Sequence, residues 1–240
     1  HAELTILPPA PTLHADGHCL QAHALLEPAK AVGGDFYTFF VRDERVLWFV
    51  IGDVSDKGVP AALFMARAMT VLEVATSLGG TPDKALRVAA ARLVEGNDTC
   101  MFATVLCGAI DAGSGEVVLA SAGHEAPVLL HADGRREFLD VPTGPPLGVD
   151  IADSYPLWRG RLQPGDALVA YTDGISEALD GGHNAFGTGR LLTALPVGAD
   201  ARGLCEVLVA AAHRFADGAA QSDDITVLAL SFDPSTRGNA

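Results

Sequence analysis

The sequence predicts an α+β domain. Two observations carry this: apolar strands separated by turn residues meander through the middle of the chain, and helical stretches bunch in two places instead of alternating with the strands. A third is that no internal repeat and no Ser- or Pro-rich linker divides the 240 residues. One domain is therefore expected, long enough for a sizeable buried core.

Residues 1–17, with Pro8, Pro9 and Pro11, read as an arm or linker remnant; the domain proper is expected over 18–234 and a tail over 235–240. Residues 20–26 read as a strand. The apolar runs 36–41 and 46–51 flank Arg42-Asp43-Glu44-Arg45 and predict a hairpin. Gly58-Val59-Pro60 opens a helix, Pro60 fitting the first turn, and Gly79-Gly80 stops it near Leu78. Thr81-Pro82-Asp83 starts another: Thr81 can cap, Pro82 fits the first turn and Asp83 meets the positive helix end. That helix is expected to end near Gly96. Strands follow at 102–110, 116–122, 127–130 and 136–139, separated by the turn signals at 111–115, Gly123-His124 and Asp133-Gly134. Further strands are expected at 154–158 and 167–171, a helix at 204–215 and a last strand at 225–232.

Composition bounds the function. The chain is 49% hydrophobic and 19% charged, with no block of like charges, unlike a disordered chain. Its formal net charge of −14 repels nucleic-acid phosphates and anionic lipids, so neither nucleic acid nor direct membrane binding is expected. The same charge repels a phosphorylated substrate unless bound cations reverse the local field. Cys19, Cys100, Cys107 and Cys205 show no CxxC spacing and read as free thiols of a reducing cytoplasm. The apolar stretch 60–78 is interrupted by Arg67 and Glu73 and reads as too broken to span a bilayer; no leader pattern is present. The chain opens at His1 and is expected to be a piece of a longer protein, with a sensor domain, even a membrane tether, upstream.

Four short segments share one pattern: an apolar run meets an aspartate beside glycine or another turn residue. They are Val32-Gly33-Gly34-Asp35-Phe36, Val50-Ile51-Gly52-Asp53-Val54-Ser55, Ala170-Tyr171-Thr172-Asp173-Gly174 and Ser222-Asp223-Asp224-Ile225-Thr226. Taken singly, each reads as a turn Asp bonding its own backbone. Together they read as carboxylates at strand ends converging on the rim of a sheet, where they repel one another unless cations lie between them. Oxygen donors without His or Cys select hard ions such as Mg²⁺ or Mn²⁺. Zinc is disfavoured, because the eight His show no HExxH spacing, and residues 52–58 lack the order of a Walker phosphate loop.

In this order, PAKAVGGDFY (28–37), IGDVSDKGVPAALFMA (51–66), MFATVLCGAID (101–111), SAGHEAP (121–127), PPLGV (145–149), YTDGISEALD (171–180) and SDDITVLAL (222–230) carry a family likeness over nearly the whole chain. The chain resembles the SpoIIE-like (RsbU-like) branch of the PPM, or type 2C-like, metal-dependent serine/threonine phosphatases. The resemblance implies a four-layer α-β-β-α sandwich of two antiparallel sheets flanked by helices, with a two-metal site at one end. It implies that Asp53 bridges two Mn²⁺ or Mg²⁺ ions, that Asp173 and Asp223 complete one, and that Asp35 and the Val54 carbonyl serve the other. Asp224, Lys30 and Gly174 take supporting places. The implied chemistry is in-line attack on phosphorus by a hydroxide held between the metals, with no phosphoenzyme.

Some positions depart from the family pattern or invite a second reading. Thr38 stands where the family often has a second Asp. His124 stands where eukaryotic relatives carry an Asp associated with a third metal, so no third site is expected and His124 reads as structural. Lys30 lies near the place of a phosphate-binding Arg in some relatives, yet reads as a solvated loop lysine. Ser55 lacks a nucleophile-elbow context and is expected to bond the turn at Asp53. Phe64, Met65, Met69 and Leu72 fall at helical spacing and read as core.

The function expected is hydrolysis of phosphoserine or phosphothreonine on a bacterial signalling protein. By resemblance the substrate is a STAS-type anti-sigma-factor antagonist, freed for partner switching, and the full-length protein is a possible homodimer. The alternatives are a weak or degenerate phosphatase fold acting as a regulatory binding module, and a hydrolase of small phosphate esters.

Overall fold

The computed structural model describes residues 10–30, 32–151 and 154–235, so the start of the expected arm and the end of the expected tail lie outside the described residues. β1 (Thr12–Ala15) and β2 (His18–Glu27) form one hairpin, β3 (Phe36–Arg42) and β4 (Val46–Val54) another. α1 (Val59–Ser77) and α2 (Pro82–Val94) follow. Next come β5 (Ala103–Asp111), β6 (Glu116–Ala122), β7 (Val128–Leu130), β8 (Arg136–Phe138) and the two-residue β9 (Thr143–Gly144). The chain closes with β10 (Trp158–Arg161), β11 (Asp166–Tyr171), α3 (Asp173–Ser176), α4 (Gly187–Ala194), α5 (Ala201–Ala216) and β12 (Ile225–Pro234).

One sheet runs β1-β2-β12-β11-β7-β8; the other runs β10-β6-β5-β4-β3, with β9 beside β6. Of these pairings only β6–β9 is parallel. The alternation within β4 shows how the layers form. Leu47, Phe49 and Ile51 point into the core between the sheets, where they meet Leu228, Leu230 and Phe232 of β12. Trp48, Val50 and Val54 point the other way, onto α1 and α2. On β12 the opposite set, Ile225, Val227 and Ala229, packs against Leu204, Leu208 and Ala212 of α5. Strands buried on both faces have no solvent side, which is why β4 and β12 read as continuous apolar runs rather than alternating ones. The result is an α-β-β-α sandwich, as the family resemblance implies.

The elements depart from expectation where local chemistry overrides pattern. Thr12–Ala15, read as part of an arm, is a strand paired with β2 through the Asp16-Gly17 turn, both residues having positive φ. The strand expected at 154–158 lies instead at Trp158–Arg161: Tyr155 turns into the core and donates to the Pro145 carbonyl at 3.1 Å, and Pro156 has no N–H for a ladder. α5 begins three residues early because Asp200 caps it, accepting from Gly203 N at 2.8 Å. Thr81 occupies the cap position of α2 but its hydroxyl makes no capping bond. α4 escaped notice because Gly187 and Gly189 weaken its helical signal.

α1 covers the apolar stretch 60–78 as far as Ser77. An 18-residue window of this 19-residue helix reaches a mean hydropathy of 1.4, so length and composition alone would pass for a membrane span despite Arg67 and Glu73. In the fold it is a core helix: Ala61, Phe64, Ala68, Leu72 and Ala75, at spacings of three and four, pack on the sheet and on Leu86, Ala89 and Leu93 of α2. Met65 and Met69 pack beside them, as expected.

Candidate active site

The four aspartates gather where β4 and β11 end and β3 and β12 begin, at the same end of both sheets. Asp35, the residue before β3, is 4% exposed. Its Oδ2 accepts hydrogen bonds from Thr172 Oγ1 at 2.7 Å and Thr226 Oγ1 at 2.6 Å. Burial, and then the charge of Asp53, push its carboxyl well above the usual range; the two threonine hydroxyls oppose that shift. Asp53, next to last in β4, is pushed up to about 7 by burial first and by Asp173 second. Asp173 opens α3 and is pushed up to about 6 by burial, then by Asp223, Glu177 and Glu125, while Lys57 pulls the other way.

Asp223 is half-buried and behaves differently. Its Oδ2 pairs with Lys57 Nζ at 2.9 Å, and its Oδ1 accepts from Asp224 N at 2.9 Å. Asp224 faces away from this pair and pins the loop before β3. Its Oδ1 accepts from Ala29 N at 2.7 Å, and its Oδ2 from Gly34 N at 2.7 Å and Asp35 N at 3.4 Å. Two glycines make the close approaches possible. A Cβ on Gly34 would lie 2.8 Å from the Val54 carbonyl oxygen, and one on Gly174 would lie 1.9 Å from the Asp224 carbonyl oxygen.

Among the described residues, no three His, Cys, Asp or Glu side chains stand in a ligating arrangement. The aspartates are neighbours at this end of the two sheets. Asp35 is held by the two threonine hydroxyls, and Asp223 by Lys57. The donor set still fits hard divalent cations. It is all oxygen, and burial together with mutual repulsion raises the free energy of three ionised carboxylates, which a cation would lower. Asp35, Asp53, Asp173, Asp223 and the Val54 carbonyl are the oxygen donors that would hold such ions.

Other residues singled out by sequence take different places. Lys30 is exposed, and among the described residues it forms no ion pair. Thr38 is buried in β3 opposite Val50, three positions into the strand from Asp35. His124 is buried, with Nδ1 3.0 Å from Thr104 Oγ1; Thr104 in turn pairs with Asp53 across β4–β5. Burial pulls the His124 pKa down to about 4, opposed by the backbone carbonyls of Tyr171 and Thr104, so the ring is neutral. Its Nε2 makes no aligned hydrogen bond. Ser55 does not bond the Asp53 turn as expected; its Oγ accepts from Phe102 N at 3.0 Å and ties the loop after β4 to the chain before β5.

Sequence reading missed Thr172, Thr226, Lys57 and Gln221. Gln221 Nε2 donates to the carbonyls of Glu27 and Asp223, both at 2.8 Å, holding the Asp223 loop against the end of β2. The threonines had a signal, since each lies within three residues of a singled-out aspartate. A cleft of about 740 Å³ lies on the outer helical layer beside Phe186, Arg190 and Ala211, and none of the aspartates lines it.

Comparison with known proteins places these observations in context. The family model described as stage II sporulation protein E (SpoIIE) matches residues 43–233. Protein IcfG of Synechocystis sp. is 32% identical over 238 residues, covering 88% of this chain and 37% of that protein. Phosphoserine phosphatase RsbU of Bacillus subtilis is 32% identical over 160 residues, covering 66% of this chain and 47% of that protein. The chain thus spans less than half the length of either relative. Among solved structures, the SiaA-PP2C domain of Pseudomonas aeruginosa superposes with a TM-score of 0.78 at 22% identity, covering 88% of this chain and 86% of that one. At that identity the likeness speaks for the fold.

Proposed function

The chain belongs to the SpoIIE family, and we propose that it is a metal-dependent phosphatase that hydrolyses phosphoserine or phosphothreonine on a partner protein. One observation carries the reading: Asp35, Asp53 and Asp173, from three distant segments, are held together with their carboxyl groups destabilised in the charged form. Buried like charges are costly, and a cation-binding role accounts for their presence. Two hard divalent ions, when bound, supply a water acidic enough to attack at neutral pH and neutralise charge on the transferring phosphoryl group.

The chain's own residues prepare that chemistry. Thr172 and Thr226 hold Asp35 in one rotamer from the far sheet. Asp224 fixes the loop so that Gly34 lies against the Val54 carbonyl. Asp53 is close enough to Asp35, Asp173 and Asp223 to feel all three, which suits a shared ligand. The surrounding Glu125 and Glu177 add negative charge that would repel a phosphate dianion in the absence of cations. Activity on any phosphate ester should therefore vanish on chelation.

The phosphoserine class is supported by the name of the RsbU relative. The STAS-type target rests on the family likeness alone, as do the upstream sensor and a homodimer of the full-length protein. The four cysteines are unpaired, which suits a reducing cytoplasm. The test is phosphate release from a phosphoserine peptide and from p-nitrophenyl phosphate, with Mn²⁺ or with EDTA, for wild type and Asp53→Asn. Release from the peptide that needs Mn²⁺ and Asp53 supports the reading. Release only from the small ester would favour a small-phosphoester hydrolase, and folded, inert protein would favour a binding module.

A further inference from the structure

Lys57 is the one cationic side chain, among the described residues, that ion-pairs with a member of the aspartate cluster. Its place is built. It follows Asp56 (φ 67°) and precedes Gly58 (φ 91°) in the loop from β4 to α1, both with left-handed backbone. That loop is tied at Ser55, whose N–H donates to the Phe102 carbonyl at 2.8 Å and whose Oγ accepts from Phe102 N. The ammonium reaches across to the Asp223 loop, donating to Asp223 Oδ2 and to the Ser222 carbonyl, and its side chain keeps 33% of its surface exposed.

This arrangement conflicts with the proposed reaction in an informative way. Lys57 holds Asp223 Oδ2 while Oδ1 accepts from Asp224 N, so a cation that takes Asp223 through Oδ2 competes with the ammonium. A divalent ion carries twice the charge of an ammonium and competes for the same oxygen. Once displaced, Lys57 is left at the rim of a site otherwise lined by carboxylates, with three N–H donors and a short reach. Among the described residues it is the one cation paired with the cluster, and so already stands where a phosphate dianion would enter.

We propose that Lys57 is the phosphate-binding side chain of this site, parked on Asp223 until a metal ion takes that carboxylate. The proposal rests on the phosphatase reading and adds a residue to it. It also explains how a strongly acidic protein admits an anionic substrate only after cations are in place.

The test compares wild type, Lys57→Met and Lys57→Arg, each checked for a cooperative melt. Mn²⁺ affinity is measured by titration calorimetry without substrate, and competitive inhibition by inorganic phosphate is measured with Mn²⁺ saturating. Removing the competitor should tighten Mn²⁺ binding by about two- to fivefold, the worth of a partly exposed ion pair. It should also weaken phosphate inhibition by about tenfold or more, the worth of a charge-assisted hydrogen bond. Lys57→Arg should restore phosphate inhibition to within a few-fold of wild type. Unchanged or weaker Mn²⁺ binding in Lys57→Met, or unchanged phosphate inhibition, overturns the role of Lys57 while leaving the phosphatase reading intact. A wild type that neither binds Mn²⁺ nor releases phosphate overturns both.

Discussion

Thr226 Oγ1 donates a 2.6 Å hydrogen bond to Asp35 Oδ2 across 191 positions of sequence, from the second residue of β12 in one sheet to the residue leading into β3 in the other. Thr226 itself is fully buried, and its N–H donates to Thr172 Oγ1, the second hydroxyl on the same carboxylate oxygen. The pair of threonines therefore does for Asp35 what outer partners do for metal ligands: it fixes orientation and favours the ionised form.

Thr226→Val keeps the shape and removes the donor. Metal affinity should fall by about tenfold or more, as for loss of an outer-shell partner, with little change in fold because valine suits a buried strand position. Mn²⁺ titration calorimetry on the variant measures it.

Metal-free stability should depend on pH in an unusual sense. Asp53 at about 7 and Asp173 at about 6 have folded values raised above those of the unfolded chain. Their favourable contribution is thus complete below about pH 4 and is lost as pH rises through 6 and 7. His124 acts oppositely: its folded value of about 4 is depressed, so its contribution is present above its unfolded value near 6.5 and is lost as pH falls toward 4. Comparison with Asp53→Asn isolates the carboxylate. In EDTA, wild-type Tm should fall between pH 6 and pH 8 by a few degrees more than the variant's, and Mn²⁺ should reverse the fall at pH 8. Thermal melts at the two pH values decide it.

Gly174→Ala should be among the most damaging single substitutions in the site. Its Cβ would sit 1.9 Å from the backbone oxygen of Asp224, which has no flexible side chain to yield. A loss of about 1–3 kcal/mol is expected from the forced backbone shift. Because the shift displaces Asp223 and Asp224, Mn²⁺ affinity should fall as well. Chemical denaturation with Mn²⁺ and with EDTA separates the two effects.

Asp224→Asn tests the loop anchor. Three backbone N–H groups converge on its carboxylate, and an amide replaces one acceptor oxygen by a donor. Stability should drop by roughly 1–3 kcal/mol, the penalty of an unpaired buried donor, and metal affinity should drop because Asp35 follows the loop. Denaturant midpoints together with Mn²⁺ titration check both.

Much of this was legible in the sequence because the signals were local. Each of Asp35, Asp53, Asp173 and Asp223 follows or precedes an apolar run, so each could be placed at a strand end without knowing the fold. β4 and β12 betrayed their two buried faces by being apolar throughout. What stayed hidden depended on pairing at long range. Nothing near Lys57 says that it meets Asp223, and nothing near Thr226 says that it meets Asp35. The strand expected at 154–158 moved because Tyr155 found a core position and a carbonyl partner.

The most direct measurement is the number of Mn²⁺ ions bound per chain, by equilibrium dialysis at neutral pH, for wild type and Asp53→Asn. About two ions on the wild type and a loss of tight binding in the folded variant are the outcomes expected of Asp53 as the shared ligand. A wild type that binds no Mn²⁺, or a variant that binds as much as wild type, would contradict the claim that these aspartates form a metal centre.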